Sequence, residues 1–292
     1  MVLNGSFRLD WIKYPCEVSC GFVGPKIKEP MLPVEFQQRY DLAQKYVLEK
    51  GNLGEDVYLQ FAGINETSND EIVWFMSKYG PLGIHKDKLW TDIMLSSPIY
   101  NEILEEVSIV QAHIRLMREV INLRNLYIQQ SEDIELLVAG LSNMIDIITF
   151  LNSQDIPLSS ISDDEIICKH LSTAIETRFK DETEFTNNPY NNRLLGGAGL
   201  IVTYVVNSFL THVSCAVIPS PEHKFFGESR PDSLLTAMYV MLYDDLIQGR
   251  MIKKCSNEKC SKFFVSTDKR KIYCDRLCAD AQGHRNKRKG DE

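Results

Sequence analysis

The sequence predicts a mostly α-helical (α+β) protein that ends in a small module containing both strand and helix. Three observations predict this architecture. Apolar residues recur at helical spacing in several stretches of the first 249 residues. Four cysteines lie in two close pairs between residues 255 and 278. Residues 250–289, hereafter the basic segment, hold 13 Lys and Arg against four Asp and Glu, whereas the whole chain has a formal net charge of −8.

Length and composition indicate a soluble protein of two domains. The chain has 292 residues, of which 44% are hydrophobic and 25% charged. We expect an acidic, mostly helical domain over residues 1–249 and a basic four-cysteine domain over residues 250–292. The first ten residues lack the basic and apolar regions of a secretory signal. Clustered cysteines in such a chain favour a metal over disulfides, and therefore a reducing compartment. The prediction is a cytoplasmic protein.

The first third of the chain carries local signals for one strand and one helix. A short strand is expected over Phe7–Tyr14 in a proline-rich region. Ser68 and Glu71 have the spacing of a capping box, in which each side chain satisfies a free N–H group at the start of a helix. That helix is expected to end at Tyr79–Gly83, because glycine followed by proline stops a helix.

The longest predicted helix begins at Ser97 and Pro98, an N-cap followed by proline at the first helical position. Its apolar stripe is interrupted only by Arg124 and consists of Ile99, Ile103, Val107, Val110, Ile114, Met117, Ile121 and Ile128. Such a stripe can form the seam of a coiled-coil homodimer. Further apolar residues widen it, namely Leu104, Leu116, Val120 and Leu123. The wider stripe favours a helix buried in a bundle.

The rest of the body is predicted to be helical as well, over Ile134–Leu151, Ser162–Thr177 and Leu234–Leu246. Loops are expected at residues 187–192 and 219–231. Residues 194–221 include no Asp, Glu, Lys or Arg, but glycines and polar side chains interrupt the run. A membrane-spanning helix needs about 20 predominantly apolar residues. We therefore expect a buried core segment here and no membrane span.

The four cysteines follow the pattern Cys255-x4-Cys260-x13-Cys274-x3-Cys278. Thiolates are soft ligands, and two pairs on two short turns can close a tetrahedron around zinc. The pattern predicts one Zn²⁺ held by these four residues. The alternative is four unrelated buried cysteines. Cys16 and Cys20 have no second pair near them in sequence and are expected to be packing residues.

The spacing also predicts how the metal module folds. Phe263–Val265 and Ile272-Tyr273 are expected to form a small β-hairpin between the cysteine pairs, and a helix is expected from about Asp275. A knuckle, a hairpin and a closing helix joined by a metal define a treble-clef-like zinc finger. Its core is expected to be Phe263, Phe264, Val265, Ile272, Tyr273 and Leu277.

The charge of the basic segment points to nucleic acid. Thirteen cations and four anions give the basic segment a net charge of about +9. Since the whole chain has a net charge of −8, the remainder of the chain carries about −17. The alternatives are a solvated tail or a tail that docks on the acidic body. The candidate nucleic-acid-binding residues are Lys269, Arg270, Lys271, Arg276, His284, Arg285, Lys287, Arg288 and Lys289. Arg276, Arg285 and Arg288 are the candidates for base edges, since arginine offers a bidentate fork to guanine.

The sequence carries no catalytic motif. A glycine-rich phosphate loop, a His-Glu-x-x-His pair and a nucleophile elbow are all absent, and the six histidines are scattered. His212, which lies in an apolar run, is expected to be a core histidine. The prediction is that the protein is not an enzyme.

The C-terminal motifs resemble those of bacterial proteins with a CGNR-type zinc finger behind an ABATE-like domain. The residues that carry the resemblance are Ser233–Tyr239, Cys255–Cys260, Phe263-Phe264 and Tyr273–Cys278, followed by a helix rich in Arg and Lys. The chain departs from the family after Cys278, where Ala279-Asp280-Ala281 replaces Gly-Asn-Arg. The resemblance implies a probable transcription regulator whose finger binds DNA.

In that family the larger domain is thought to sense a ligand, so the resemblance implies a small-molecule effector for the body. The alternative function is a protein-interaction or RNA-binding module in which the finger is purely structural.

Overall fold

The structure is a computed structural model that describes residues 8–13, 16–18, 31–36, 44–49, 56–80, 82–84, 102–159, 161–176, 189–219, 225–231, 233–268 and 270–290. Its helices are α1 (Val57–Ala62), α2 (Asn69–Tyr79), α3 (Val107–Ile128), α4 (Ile134–Ser153), α5 (Ile161–Glu176), α6 (Pro189–Leu210), α7 (Leu234–Ile247) and α8 (Arg276–Gly290). Its strands are β1 (Arg8–Lys13), β2 (Cys16–Val18), β3 (Met31–Phe36), β4 (Gln44–Glu49), β5 (Glu102–Glu106), β6 (Val213–Pro219), β7 (Phe225–Pro231), β8 (Met251–Lys254) and β9 (Phe263–Ser266). The fold is mostly helical, as predicted.

The chain divides into two compact units. Unit 1 comprises Met1–Tyr58, Asn65–Gln111 and Phe209–Asp244, and unit 2 comprises Leu59–Ile64, Ala112–Ser208 and Asp245–Glu292. Unit 2 therefore includes both the basic segment and the helices that precede it in the chain. The predicted domain boundary between residues 249 and 250 stays a prediction.

Unit 1 contains three antiparallel sheets and two helical segments with buried faces. β1 pairs with β4, β3 pairs with both β2 and β5, and β6 pairs with β7. The α2 helix buries Ile72, Phe75 and Met76. The rings of Phe209 and Tyr239 stack with their centroids 3.9 Å apart. These apolar contacts supply the core that the unit's small sheets cannot supply alone.

Unit 2 is built from packed helices that approach closely at glycines. A Cβ atom on Gly140 of α4 would lie 2.8 Å from Leu123 Cδ2 of α3, and one on Gly199 of α6 would lie 2.8 Å from Tyr127 of α3. The α3 face toward the core buries residues on both sides of the predicted stripe, including Leu116, Val120 and Leu123. The buried face of α3 is therefore as wide as that of a helix packed on several neighbours, as the bundle interpretation requires.

Several predicted elements are confirmed. Ser68 is the N-cap of α2, and its Oγ accepts a hydrogen bond from the N–H group of Glu71 at 3.4 Å. The Glu71 carboxylate accepts the N–H group of Asn65 at 2.8 Å, so it reaches further back than a capping box requires. The helices α4, α5 and α7 lie close to their predicted bounds. Gly249, which follows α7, has a φ of +62°.

The predicted start of the longest helix is wrong. Residues 102–106 form β5, and Ile103 is paired with Val34 of β3. The helix itself begins at Val107. Pairing with a distant strand outweighs the local helical pattern, because the apolar residues of β5 suit either period. Ser97 and Pro98 lie outside the described residues.

Three further expectations are corrected. Pro189 begins α6, so the expected loop does not extend to residue 192. Residues 225–231 form β7 instead of a loop, because they pair with β6 through the whole strand. His212 is exposed rather than in the core, because it lies in the turn between α6 and β6.

Within the described residues, two helical stretches are long and apolar enough to cross a membrane by length and composition. They are Ile134–Ser153 and Arg193–Leu210, and in each the most apolar window is 39% buried. The second stretch lies in the uncharged run of the sequence and forms a helix that leads into β6.

Two arginines of α3, the half-buried Arg118 and the buried Arg124, donate to backbone carbonyls at the ends of neighbouring segments. Arg118 donates to the carbonyl oxygens of Ala62 at 3.0 Å and Ile64 at 2.5 Å, just where α1 ends. Arg124, which interrupts the apolar stripe, is 3% exposed and donates to the carbonyl oxygens of Asp245 and Arg250. These donors satisfy the free carbonyls that a helix leaves at its C-terminus.

Replacing Arg124 with leucine should destabilise the protein. The substitution places an apolar side chain in the core but removes the side-chain donor to the Arg250 carbonyl oxygen and one of two donors to the Asp245 carbonyl oxygen. We expect the free energy of unfolding in urea to fall by about 3 kcal/mol. The matched control is Arg115→Leu on an exposed position of the same helix, which should change it by less than about 0.5 kcal/mol. Equal effects of the two substitutions would contradict the role of Arg124.

Candidate metal centre and basic surface

The first cysteine pair lies in the turn of a β-hairpin. β8 and β9 are antiparallel, with Met251 opposite Ser266 and Lys254 opposite Phe263. The residues between them carry Cys255 and Cys260, and the N–H group of Cys255 donates to the carbonyl oxygen of Lys262 at 2.9 Å. The hairpin therefore turns at the metal-binding pattern itself.

The predicted hairpin is thus corrected in one strand. The segment Phe263–Val265 is extended, as expected, but its partner is β8 and not Ile272-Tyr273. The physical reason is the short loop that carries Cys255 and Cys260. Because the two sulfurs of this loop face one point, the strands on either side of it are brought together. Ile252 of β8 and Phe263 and Phe264 of β9 are buried by this pairing.

The four cysteine sulfurs come together. Their Sγ atoms all lie within 4.8 Å of one another. Cys274 Sγ is 3.9 Å from Cys260 Sγ and 3.5 Å from Cys278 Sγ. Four sulfurs at about 2.3 Å from a central zinc would be about 3.8 Å apart, which is the edge of that tetrahedron. All four are free thiols with no disulfide among them. The group could hold a metal ion.

The electrostatics of the thiols favour a bound cation. Burial raises the pKa of Cys274, and hydrogen bonds with the other three sulfurs raise it further. Burial also opposes ionisation of Cys255, but the N–H groups of Cys274 and Asn257 stabilise its thiolate, and its pKa is lowered overall. Neighbouring thiolates repel one another, so four cannot all ionise together without a compensating charge. A coordinated metal ion supplies that charge.

The last two cysteines are placed by the start of α8. The Oδ1 atom of Asp275 accepts the N–H group of Cys278 at 2.7 Å, which lowers the pKa of the Asp275 carboxyl group. This is the geometry of an N-cap, in which a carboxylate satisfies a free N–H group in the first turn. Cys278 lies in that first turn, as the sequence predicts.

A buried polar network joins α8 to the cysteine turn independently of the sulfurs. The Nδ2 atom of Asn257 donates to the Cys278 carbonyl at 3.1 Å, and the N–H group of Glu258 donates to Gln282 Oε1 at 3.3 Å. Arg285 donates to Asn257 Oδ1 and, at 2.7 Å, to Gln282 Oε1. Asn257 and Gln282 are only 6% and 5% exposed. The network fixes which face of α8 points inward.

Lys253 holds the polar turn at residues 268–271, hereafter the basic turn. Its ammonium group donates to the carbonyl oxygens of Asp268 at 3.0 Å and Lys271 at 2.8 Å. The Oδ1 atom of Asp268 accepts the N–H group of Arg270 at 2.8 Å. The Arg270 side chain is 93% exposed. The Arg270 side chain therefore points into solvent.

The predicted nucleic-acid-binding residues divide into three groups. Arg270, Lys271, Arg276 and His284 are exposed. Arg285 is half-buried, and its guanidinium group is engaged by the polar network, so its fork faces the interior of the finger. The remaining candidates, Lys269, Lys287, Arg288 and Lys289, have side chains outside the described residues.

The predicted core of the finger is partly wrong. Phe263 and Phe264 are buried, but Ile272 is 49% exposed and Leu277 is 79% exposed. Leu277 precedes Cys278 by one residue, and a helix turns by about 100° at each residue. With Cys278 facing the sulfur cluster, Leu277 therefore points away from the interior. Gln282, which is four residues after Cys278, is buried, whereas Ala281 is exposed.

Sequence reasoning missed Lys253, Asn257, Gln282 and Asn125 as structural residues. Asn125 Nδ2 donates to the Ile252 carbonyl in β8 at 2.8 Å. Arg124, the single charge within a long apolar stripe, is the one signal in the sequence that indicates a structural polar residue in this region. The amide side chains gave no comparable signal, because their partners are backbone groups distant in sequence.

Comparisons with known proteins yield no relative. No protein-family model matches the chain, and no significant match occurs among the curated proteins or the solved structures compared.

The cysteine cluster should bind one metal ion per chain through all four thiols. Serine at any one of Cys255, Cys260, Cys274 or Cys278 should lower the metal content of the purified protein, because a hydroxyl is a poor ligand for a soft site. Cys168→Ser is the matched control, since Cys168 is a free, half-buried cysteine outside the cluster. Affinity should also fall as the pH falls, because the ligands must be deprotonated. Metal retention in all four cluster variants would show that the thiols are not its ligands.

Proposed function

We propose that the protein is a zinc-dependent nucleic-acid-binding protein, and that its target is duplex DNA. The observation that supports this most directly is the exposure of cations around the cysteine cluster. Arg270 and Arg276 are both 93% exposed. They belong to the basic segment, whose net charge of about +9 contrasts with about −17 on the remainder. Cations on a rigid frame bind phosphates and release counterions.

Zinc is the metal that we propose for the four thiols. Four sulfur ligands with separations near a tetrahedral edge suit Zn²⁺, and a closed site without an open position is typical of a structural role. When bound, the ion supplies a cross-link between the hairpin turn and α8. Protein residues position the helix: Asp275 orients the first turn of α8, and Asn257 holds α8 against the cysteine turn.

The proposal extends to transcription regulation. The C-terminal motifs resemble the CGNR-type zinc fingers of probable regulators, in which a finger follows an ABATE-like domain. In this chain the finger follows α7 directly, and Arg124 ties the residues that connect them, from Asp245 to Arg250, to α3. A helical body that senses a small effector or mediates dimerisation would complete such a regulator.

The identity of the metal is tested by elemental analysis of protein purified without chelator. We expect about one equivalent of zinc per chain, because the four thiols form a single closed site. Less than about half an equivalent, with no iron in its place, would contradict the proposal. Removal of zinc should also expose the backbone of β8 and β9 to hydrogen exchange, since metal binding supplies folding energy to so small a module.

Replacing Lys269, Arg270 and Lys271 together with alanine should weaken binding to all DNA sequences about equally. If each cation contacts a phosphate, the slope of log K against log salt should become shallower by up to about 2.7, at about 0.9 per phosphate. The charge-matched control replaces Arg115, Lys169 and Arg193, which are exposed on α3, α5 and α6. Binding is measured by fluorescence anisotropy of labelled duplexes from 50 to about 300 mM salt.

Two outcomes would count against the proposed function. A zinc-loaded triple variant that keeps full affinity at every salt concentration would show that the basic turn does not contact phosphate. Partners that remain on the immobilised protein after nuclease treatment of a lysate, together with no affinity for purified duplex DNA, would favour the protein-interaction alternative.

A further inference from the structure

One face of α8 carries an exposed strip of three side chains, of which Leu277 and Ala281 are apolar. Leu277, Ala281 and His284 follow one another at intervals of four and three residues, which places them on one side of a helix. All three are exposed. Cys278, Gln282 and Arg285 lie about 100° further around the helix, on the face that the sulfur cluster and the polar network hold. The orientation of the strip is therefore fixed by two independent attachments.

Leu277 is the residue of this strip that lacks a structural role. At 79% it is the most exposed large apolar side chain in the part of the chain that the structure describes. The finger has few apolar residues with which to build its core, yet this leucine does not contribute to it. An apolar side chain in so charged a segment is explained if a partner covers it.

Charge complementarity identifies the kind of partner. Arg276 lies one residue before Leu277 and pairs with Asp280 at 3.7 Å, so the strip is bordered by a charged row on the same helix. The basic turn adds Arg270 and Lys271, both exposed. The basic segment as a whole carries about +9, and an apolar side chain within it fits a polyanion that has apolar groups between its charged backbones.

Duplex DNA has that arrangement in its major groove. The groove admits an α-helix, and thymine presents its C5-methyl group there as an apolar contact for small side chains. Uracil has no such methyl group, and the major groove of an RNA helix is too deep and narrow to be read by side chains. These properties separate DNA from RNA as the occupant of the strip.

We propose that α8 is a reading helix for thymine-containing duplex DNA, with Leu277 and Ala281 in contact with thymine methyl groups. The proposal rests on the proposed function, to which it adds the groove, the base and the residues. Arg285, which the sequence suggests as a base-reading residue, is instead a positioning residue, because Asn257 and Gln282 engage its guanidinium group.

The test uses the zinc-loaded full-length protein and a duplex obtained by binding selection. Thymine is replaced by deoxyuridine, one position at a time. At a contacted position the native protein should lose about 4-fold in affinity, the effect of removing one buried methyl group from an apolar contact. Leu277→Ala should weaken binding to the thymine duplex and remove the difference between thymine and deoxyuridine at one position.

Leu136→Ala is the matched control, because Leu136 is a similarly exposed leucine at 55% on α4. It should preserve both the affinity and the discrimination. Asn257→Ala, which frees Arg285 and loosens α8, should reduce discrimination among all bases while the zinc content is retained.

The outcomes distinguish this inference from the function on which it rests. Tight duplex binding with no effect of deoxyuridine at any position would overturn the role of the strip and leave DNA binding intact. The same holds if Leu277→Ala keeps the full discrimination. Absence of binding to any selected duplex would overturn both proposals.

Discussion

The finger depends on the convergence of four sulfur atoms within 4.8 Å. Its apolar core is small, since only Ile252, Phe263 and Phe264 are buried among its large apolar side chains. A core of that size cannot offset the conformational entropy of ordering about 40 residues. Four thiols at this distance repel one another when they are ionised. A bound cation would offset that repulsion and make the sulfur cluster the main cross-link of the module.

The sulfur cluster alone would leave the module free to move relative to the helices of unit 2, and a second set of contacts prevents this. Arg124 and Asn125, adjacent on α3, donate to the carbonyls of Arg250 and Ile252 at the start of the finger. A Cβ atom on Gly63 would lie 3.3 Å from the carbonyl oxygen of Ser261, so the cysteine turn also approaches the end of α1. A side chain that donates to backbone carbonyls holds a segment in place regardless of the segment's own side chains. The metal-dependent module is thus continuous with the helices rather than joined to them by a linker.

The sequence predicts those features that a few neighbouring residues determine. The cysteine pattern identifies the metal cluster, because the two short turns each present two sulfurs by local geometry. Ser68 and Asp133 cap their helices through side chains within three residues. In contrast, β5 and β7 exist because of partners elsewhere in the chain, and their own residues suit either a helix or a loop. Pattern reasoning cannot see pairing over such separations, and it therefore extended the longest helix too far toward the N-terminus.

The side-chain roles in the site divide in the same way, into roles set by neighbouring residues and roles set by residues distant in sequence. Hydrophobic character predicts a core position for Leu277, whereas its place one residue from Cys278 turns it outward. Arg285 was predicted to face DNA because its charge suggests phosphate or guanine. Its partner Asn257 lies 28 residues earlier and is near it because the cysteine cluster and the polar network bring the turn and the helix together. Arg285, beside the buried amides of Asn257 and Gln282, helps to build the site. Arg276 lies on the opposite face of α8 and is exposed.

The balance of charge decides which cations matter for binding. Four thiolates around one divalent ion carry about −2, so the loaded basic segment retains about +7 of its formal +9. The acidic remainder, at about −17, repels a polyanion. At physiological ionic strength, however, the Debye length is about 8 Å, so distant acids act weakly at a contact surface. At low salt the same repulsion reaches further and opposes the gain from counterion release. Under the proposed function, affinity for DNA would therefore be set less by the net charge of the protein than by a few exposed cations, such as Arg270 and Arg276.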